Sequence, residues 1–317
     1  MRYVIIGGSA AAIGCIEGVR SVDKTGEIIL ITGETEWNYS RPLISYLLEG
    51  KTTRDKMWCR PDSFFTRNGV TVKAGVLATT LDAGDRTVRL STGERLAYDR
   101  LLAATGSRPF VPPIPGLETV ERTFCFQTLS DASALAEALR PESRVLILGA
   151  GLTGVKCAEG IRGLCAQIAI ADLAPRVLPA VLDDTAAAMV QARMEEKGVR
   201  FYLNDSAAAF RGNTARLQSG TELEFDVLVT AVGVRPNTQL VADAGGAVDR
   251  GILVDGRCAT TLPDVYAAGD CAQGYDAVSG EKRMLPLWPN AVLQGETAGI
   301  NMAGGRADYT QGIALNA

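Results

Sequence analysis

A short apolar strand that runs into a glycine turn and then into a helix occurs twice in this chain. That repetition constrains the fold more than any other feature. Arg2–Ile6 leads into Gly7-Gly8-Ser9, a helical stretch from about Ala10 to Arg20 follows, and Glu27–Thr32 reads as the next strand. In mid-chain Arg144–Leu148 leads into the turn Gly149–Gly154, a helix over Val155–Leu164 and a strand over Gln167–Ala171. A strand–turn–helix–strand unit opens a doubly wound α/β fold. The first glycines of the two turns are 142 positions apart (149 − 7), so two cofactor halves are implied. The length of 317 residues, 47% of them hydrophobic, is ample for two domains.

The second turn, Gly149-Ala150-Gly151-Leu152-Thr153-Gly154, is a complete G-x-G-x-x-G. Gly149 permits the turn, Gly151 lets the backbone approach a pyrophosphate, and Gly154 lets helix and strand pack closely. The phosphates then sit on the helix N-terminus, where unpaired N–H groups and the helix dipole favour negative charge. Asp172 lies 23 residues on (172 − 149), at the end of the next strand. A carboxylate there accepts from a ribose 2′-OH and repels a 2′-phosphate, which favours NAD over NADP; Arg176 near by counts the other way.

The first turn, Gly7-Gly8-Ser9-Ala10-Ala11-Ala12, keeps the first glycine but has Ser9 at the second position and Ala12 at the third. Alanine is tolerated at the third position. Ser9 is a departure: either its hydroxyl donates to a phosphate or its bulk pushes the cofactor outward. Glu34 stands 27 residues after Gly7 (34 − 7), where a ribose ligand belongs.

Composition excludes several classes. Histidine is absent, which removes His-based triads and weakens a zinc or haem reading. The formal net charge is −4 with no basic run, so no nucleic-acid footprint is expected. No apolar stretch approaches the ~18 residues of a membrane helix, and Met1 leads straight into a strand rather than a signal-peptide pattern. The expected location is the cytoplasm. Seven scattered cysteines without a C-x-x-C read as reduced, buried thiols. Two proline-bearing breaks, Ser107–Gly116 and Gly233-Val234-Arg235-Pro236-Asn237, read as crossings into and out of an inserted domain.

Further segments carry a resemblance. Tyr39-Ser40-Arg41-Pro42-Leu43, Ala103-Ala104-Thr105-Gly106-Ser107-Arg108-Pro109, Val265-Tyr266-Ala267-Ala268-Gly269-Asp270, Trp288-Pro289-Asn290-Ala291 and Gln294-Gly295 occur in that order over nearly the whole chain. With the two glycine turns they resemble the FAD-dependent pyridine nucleotide–disulfide oxidoreductase superfamily, in its branch without a redox disulfide. That branch includes NADH-dependent rubredoxin and ferredoxin reductases; flavin subunits of anaerobic oxidoreductase complexes and the flavin region of assimilatory nitrite reductases are similar.

The resemblance implies two Rossmann-like dinucleotide-binding domains. An FAD domain of residues 1–109 and 239–317 would hold an inserted NAD domain of residues 110–238. Gly7, Ser9, Ala10, Ala12 and Glu34 would face FAD. Arg41, beside Pro42, would pair with its pyrophosphate. The Ala78 backbone would touch the adenine, Ala104, Thr105 and Gly106 would pass close to the cofactor, and Asp270, after Gly269, would accept from the ribityl chain. Asn290 would cap a helix from Ala291 to about Met302 whose N-terminus faces flavin N1 and C2=O. Gly149, Gly151, Leu152, Thr153, Gly154, Asp172 and Gly233 would serve NAD.

The resemblance carries an activity: hydride from NADH to FAD, then electrons to a small rubredoxin- or ferredoxin-like acceptor protein. A flavin subunit of a larger complex, a non-thiol NADH oxidase or quinone reductase, and a non-catalytic nucleotide-binding protein are the alternatives. Departures from the family are informative. No cysteine pair or thiol lies beside Arg41, where the segment reads Leu43-Ile44-Ser45-Tyr46-Leu47. Lys156 replaces a usual Glu two residues after Gly154. Its ammonium either approaches flavin N5 or the nicotinamide as a catalytic group, or is a solvated helix lysine. The C-terminal interface domain, with the homodimer contact of the full-length form, is expected to be absent.

Overall fold

The computed structural model describes residues 1–310 and 312–314. The chain divides into two compact units. Met1–Tyr39, Trp58–Ser107 and the residues from Pro236 onward form the first; Ser40–Met57 and Arg108–Arg235 form the second.

The first unit is built on five parallel strands in the order Val265–Ala267, Arg100–Ala103, Arg2–Ile6, Glu27–Thr32, Val70–Ala74. Alternate side chains of a strand serve opposite faces, so a strand covered on both sides reads as a continuous apolar run. Tyr3 and Ile5 pack with the helices Ala10–Val22 and Trp288–Met302. Val4 and Ile6 pack on the other face with Leu81, Val88, Leu90 and Tyr98, beneath an antiparallel sheet of Ala78–Asp82, Thr87–Leu90 and Arg95–Ala97.

The two helices meet backbone to backbone. A Cβ built on Gly14 would fall 2.2 Å from the Val292 carbonyl oxygen, and one on Gly18 2.2 Å from that of Glu296. From the other side, a Cβ on Gly295 would fall 2.0 Å from the Ala11 oxygen and one on Gly299 2.3 Å from that of Cys15. Each helix therefore offers a glycine every fourth residue, the spacing that lets two helices approach without side chains between them.

The second unit repeats the plan: parallel strands in the order Val199–Leu203, Gln167–Asp172, Arg144–Leu148, Val227–Thr230, Thr123–Phe124. The helix Leu152–Ile161 buries Cys157, Ala158 and Ile161; it starts inside the glycine turn, three residues earlier than its apolar pattern suggests. The helix Leu129–Ala138 opens with a capping box in which Thr128 and Asp131 satisfy each other's backbone amides. In both sheets the order reverses beside the first strand, and ligands of doubly wound sheets bind at such a point.

Residues 40–57 are grouped with the second unit, although they lie inside the 1–109 segment of the sequence-based division. The reason is packing. The short helix Ile44–Leu48 rests on Leu152–Ile161 so closely that a Cβ on Gly160 would stand 3.0 Å from the Ser45 carbonyl oxygen. Of the four passages of the chain between the units, those at 107–108 and 235–236 run through the short strands Ser107–Pro109 and Val234–Pro236.

Replacing Gly299 by valine should lower stability by about 3 kcal/mol, because the added atoms meet backbone that has no side chain to swing aside. Gly163→Ala, where a Cβ meets nothing within 4 Å, is the control. Denaturant unfolding followed by circular dichroism measures both, and equal midpoints for the two variants would contradict the close helix contact.

Candidate functional site

The two glycine turns are built alike. Gly7 has φ +120° and Gly149 φ +109°, a region open to glycine alone among common residues. A Cβ on Gly7 would fall 2.0 Å from the Ala104 oxygen, and one on Gly149 2.3 Å from the Ala231 oxygen. The Gly7 amide donates to Ile31 O and the Gly149 amide to Ala171 O, each at the end of the adjacent strand. Ala104 and Ala231 in turn donate to Ile6 and Leu148. Each turn is thus clamped between the two strands that flank its own.

In the second unit the turn opens on a cleft of ≈ 400 Å³. Gly151, Leu152, Thr153, Asp172, Ser206 and Gly233 are among its lining residues. The fit to a dinucleotide is specific: a Cβ on Gly151 or Gly233 would project into open space, so both positions leave room beside the helix N-terminus for a bulky anion. Gly154 is needed for another reason, since its Cβ would lie 1.9 Å from the Gly149 oxygen.

Asp172 does more than its expected role at the ribose. Its carboxylate accepts from the Ala150 amide at 2.5 Å and from the Ala174 amide at 2.7 Å. The Ala150 carbonyl accepts from Leu178, which holds φ +52°, a costly conformation for a branched side chain. The peptide between the two key glycines is therefore pinned from both sides. Arg176 is turned to the following loop, donating to Leu182 O and pairing with Asp184 at 3.0 Å. Its guanidinium is spent there, so its objection to NAD loses weight.

In the first unit Ser9 is the N-cap residue of Ala10–Val22 but makes no side-chain cap bond, so its hydroxyl is not committed to the helix. Ala10 and Ala12 are buried against the core. Glu34 accepts from the Tyr39 hydroxyl at 2.6 Å. Val76 donates to Thr32 O and Gly75 to Glu34 O, which brings the start of the Ala78–Asp82 strand beside the expected ribose ligand. Asn237 straps the neighbouring loop: its amide nitrogen donates to Thr105 O at 2.9 Å, and Thr105 Oγ1 donates to Asn237 O at 2.6 Å. Gly106, at φ +65° with open space around it, completes that loop. Asp270 accepts from Ser107 at 3.0 Å, and the Gly269 amide donates to buried Gln294 at 2.8 Å.

One expectation is corrected. Asn290 does not cap a helix starting at Ala291. The helix begins at Trp288 with Leu287 at its N-cap, because Pro289 presets helical φ in the first turn. Asn290 lies inside that turn, buried, and its side-chain nitrogen donates to Ile313 O at 2.9 Å. Arg41, beside Pro42, belongs to the second unit, where Nη1 donates to Gln127 O at 2.9 Å. Lys156 pairs with Glu159 and stands over the Tyr46 ring. Tyr39, Asn237 and Gln294 stand in the sequence motifs, but their contacts were not legible there, and Leu178 carried no signal; the matched glycine spacing of the two helices was the available signal for the Gln294 contact.

All seven cysteines are free. Burial pushes the Cys59 and Cys165 thiols up to about 11 and Cys258 to about 12, and holds Cys15, Cys157 and Cys271 above the ordinary thiol range. Among the described residues no His/Cys/Asp/Glu group could hold a metal ion. No helix among them is long and apolar enough to cross a membrane.

A glycine turn at the switch point of each of two parallel sheets is the plan of doubly wound dinucleotide-binding folds. Residues 1–295 match the family model described as pyridine nucleotide-disulphide oxidoreductase, and the chain belongs to that family. It is 33% identical to the NADH-dependent phenylglyoxylate dehydrogenase subunit epsilon of Aromatoleum evansii, over 99% of this chain and 76% of that protein. It is 29% identical to a rubredoxin-NAD(+) reductase of Pseudomonas putida, over 96% of this chain and 80% of that one. Among solved structures, the covalent putidaredoxin reductase–putidaredoxin complex matches with a TM-score of 0.89 at 26% identity, covering 96% of this chain and 76% of its counterpart.

Because Asp172 holds the turn, Asp172→Ala should weaken NADH by about tenfold or more without a compensating gain of NADPH. Titration calorimetry distinguishes this from a residue that only discriminates, for which the alanine variant would gain NADPH. The raised thiols imply that iodoacetamide at pH 8 meets about one thiolate in a thousand at Cys59 and Cys165. Labelling of both should accelerate about tenfold per pH unit until pH nears 11. Fast labelling at pH 8, read by mass spectrometry, would contradict the burial.

Proposed function

We propose that this chain is a cytoplasmic flavoprotein oxidoreductase that takes hydride from NADH onto FAD and passes the electrons to a small redox protein. The observation that carries the reading is the pair of like-built phosphate cradles at Gly7 and Gly149, one in each unit. The relatives named above, an NADH-dependent dehydrogenase subunit and a rubredoxin-NAD(+) reductase, support it.

FAD supplies the hydride acceptance and the change from two-electron to one-electron chemistry. The residues supply binding and orientation. The Ser9 hydroxyl and the amides at the start of Ala10–Val22 hold a diphosphate, Glu34 accepts from a ribose, and Asp270 from the ribityl hydroxyls. In the second unit the amides of Leu152 and Thr153 take the NADH diphosphate, and the remaining acceptor capacity of Asp172 takes the adenosine ribose. Hydride transfer requires proximity and alignment more than a proton relay, which suits a chain with no histidine. High thiol pKa values suit a route that bypasses cysteine.

A second reading is favoured by the match to a dehydrogenase subunit: a flavin subunit whose acceptor is a cofactor in a larger complex. The test is anaerobic absorption spectroscopy of the purified protein, with NADH and NADPH added in turn. Bands near ~450 nm that bleach with NADH and not with NADPH are expected. Absence of flavin after reconstitution with FAD would overturn the proposal. Fast rubredoxin reduction by the free chain favours the first reading, and bleaching without turnover favours the second.

A further inference from the structure

The short helix Ile44–Leu48 is joined to the phosphate-binding helix through one aromatic ring. Lys156 Nζ stands 4.3 Å from the centroid of Tyr46, and Lys51 Nζ stands 5.7 Å from the same centroid. The ring's electron-rich face attracts both cations. Each ammonium also has a carboxylate, Glu159 for Lys156 and Glu49 for Lys51, which offsets their mutual repulsion. Beside this contact, Gly160 leaves room for the Ser45 backbone. Ser45 is buried, and its hydroxyl has no hydrogen-bond partner among the described residues, so packing and the cation–ring contact seat the helix. Upstream, the Arg41 bond to Gln127 O holds the same segment to the same unit.

The seat is close to the nucleotide turn along the helix. Leu152 lines the cleft, and Lys156 lies four residues on, so the two share a helix face. An anion that orders the first turn at Leu152 and Thr153 also stiffens the turn that carries Lys156. Binding that stiffens one element favours order in whatever is clamped to it.

We propose that Tyr46 is a positioning residue: by gripping Lys156 it ties residues 41–51 to the nucleotide-binding helix, so that NAD at the Gly149–Gly154 turn orders the segment that carries Arg41. Lys156 then acts through Tyr46 rather than by touching a cofactor. The inference rests on the reading of that turn as the NAD site.

Hydrogen–deuterium exchange of the full chain, with and without saturating NAD⁺, tests it in wild type, Tyr46→Phe, Tyr46→Leu, Lys156→Met and the Tyr46→Leu/Lys156→Met pair. In wild type, NAD⁺ should slow exchange at residues 44–51 about tenfold, together with residues 149–156. Tyr46→Phe keeps the ring and the slowing. Tyr46→Leu and Lys156→Met should each cut the slowing at 44–51 to under about twofold while 149–156 stay protected, and the double variant should lose no more than either. Undiminished slowing at 44–51 in Tyr46→Leu and Lys156→Met overturns the clamp. Protection at 149–156 but not at 44–51 in wild type overturns it while leaving the NAD site standing. No protection at 149–156 overturns the NAD reading itself, and the clamp with it.

Discussion

Two helices that share a backbone-to-backbone contact organise the first unit. Gly14 and Gly18 on one side and Gly295 and Gly299 on the other let the backbones of Ala10–Val22 and Trp288–Met302 touch at points where any Cβ would collide. The contact does more than fill a core. It brings Gln294 to the Gly269 amide, so the loop carrying Asp270 is hydrogen-bonded to a helix that is itself locked to the helix after the first glycine turn. Elements from opposite ends of the sequence become one support for that loop. Glycines are costly in isolated helices, and here close packing repays that cost.

The two phosphate cradles illustrate how one device is adapted twice. Both use a left-handed glycine wedged against the carbonyl of the neighbouring strand. They differ in what restrains the acid at the end of the second strand. Asp172 accepts two backbone amides and so is part of the turn it serves. Glu34 is instead oriented by the Tyr39 hydroxyl. The first acid is built into the turn itself; the second is positioned by a partner that follows it closely in sequence. Ser9, in place of a second glycine, retains a hydroxyl that its helix does not use.

The segment 40–57 shows that order along a chain and membership of a packed unit are separate matters. It follows the first unit's second strand, yet it is fastened to the second unit by Arg41 on Gln127, Ser45 against Gly160, and Tyr46 on Lys156. Lys156 looks catalytic when judged by its distance from Gly154. Its surroundings tell of a cation already shared between a carboxylate and a ring. A charged group satisfied twice is poorly placed to serve a third partner without losing one of the first two.

Much of this molecule was legible in the residues themselves. Apolar runs of strand length, glycines at the places where backbone must approach backbone, and an acid at the end of the following strand are local signals with a fixed physical meaning. They determined the paired α/β sheets, the two turns and the dinucleotide chemistry. What remained belongs to tertiary structure. The Asp172 bonds to Ala150 and Ala174, the Asn290 bond to Ile313 and the docking of residues 40–57 are each decided by which distant groups arrive within hydrogen-bonding or contact range. A proline moved the last helix start ahead of Asn290, and a neighbouring helix claimed Tyr46. The spacing of Gly14, Gly18, Gly295 and Gly299 was visible all along, but spacing names no partner; only the folded chain sets those two faces against each other.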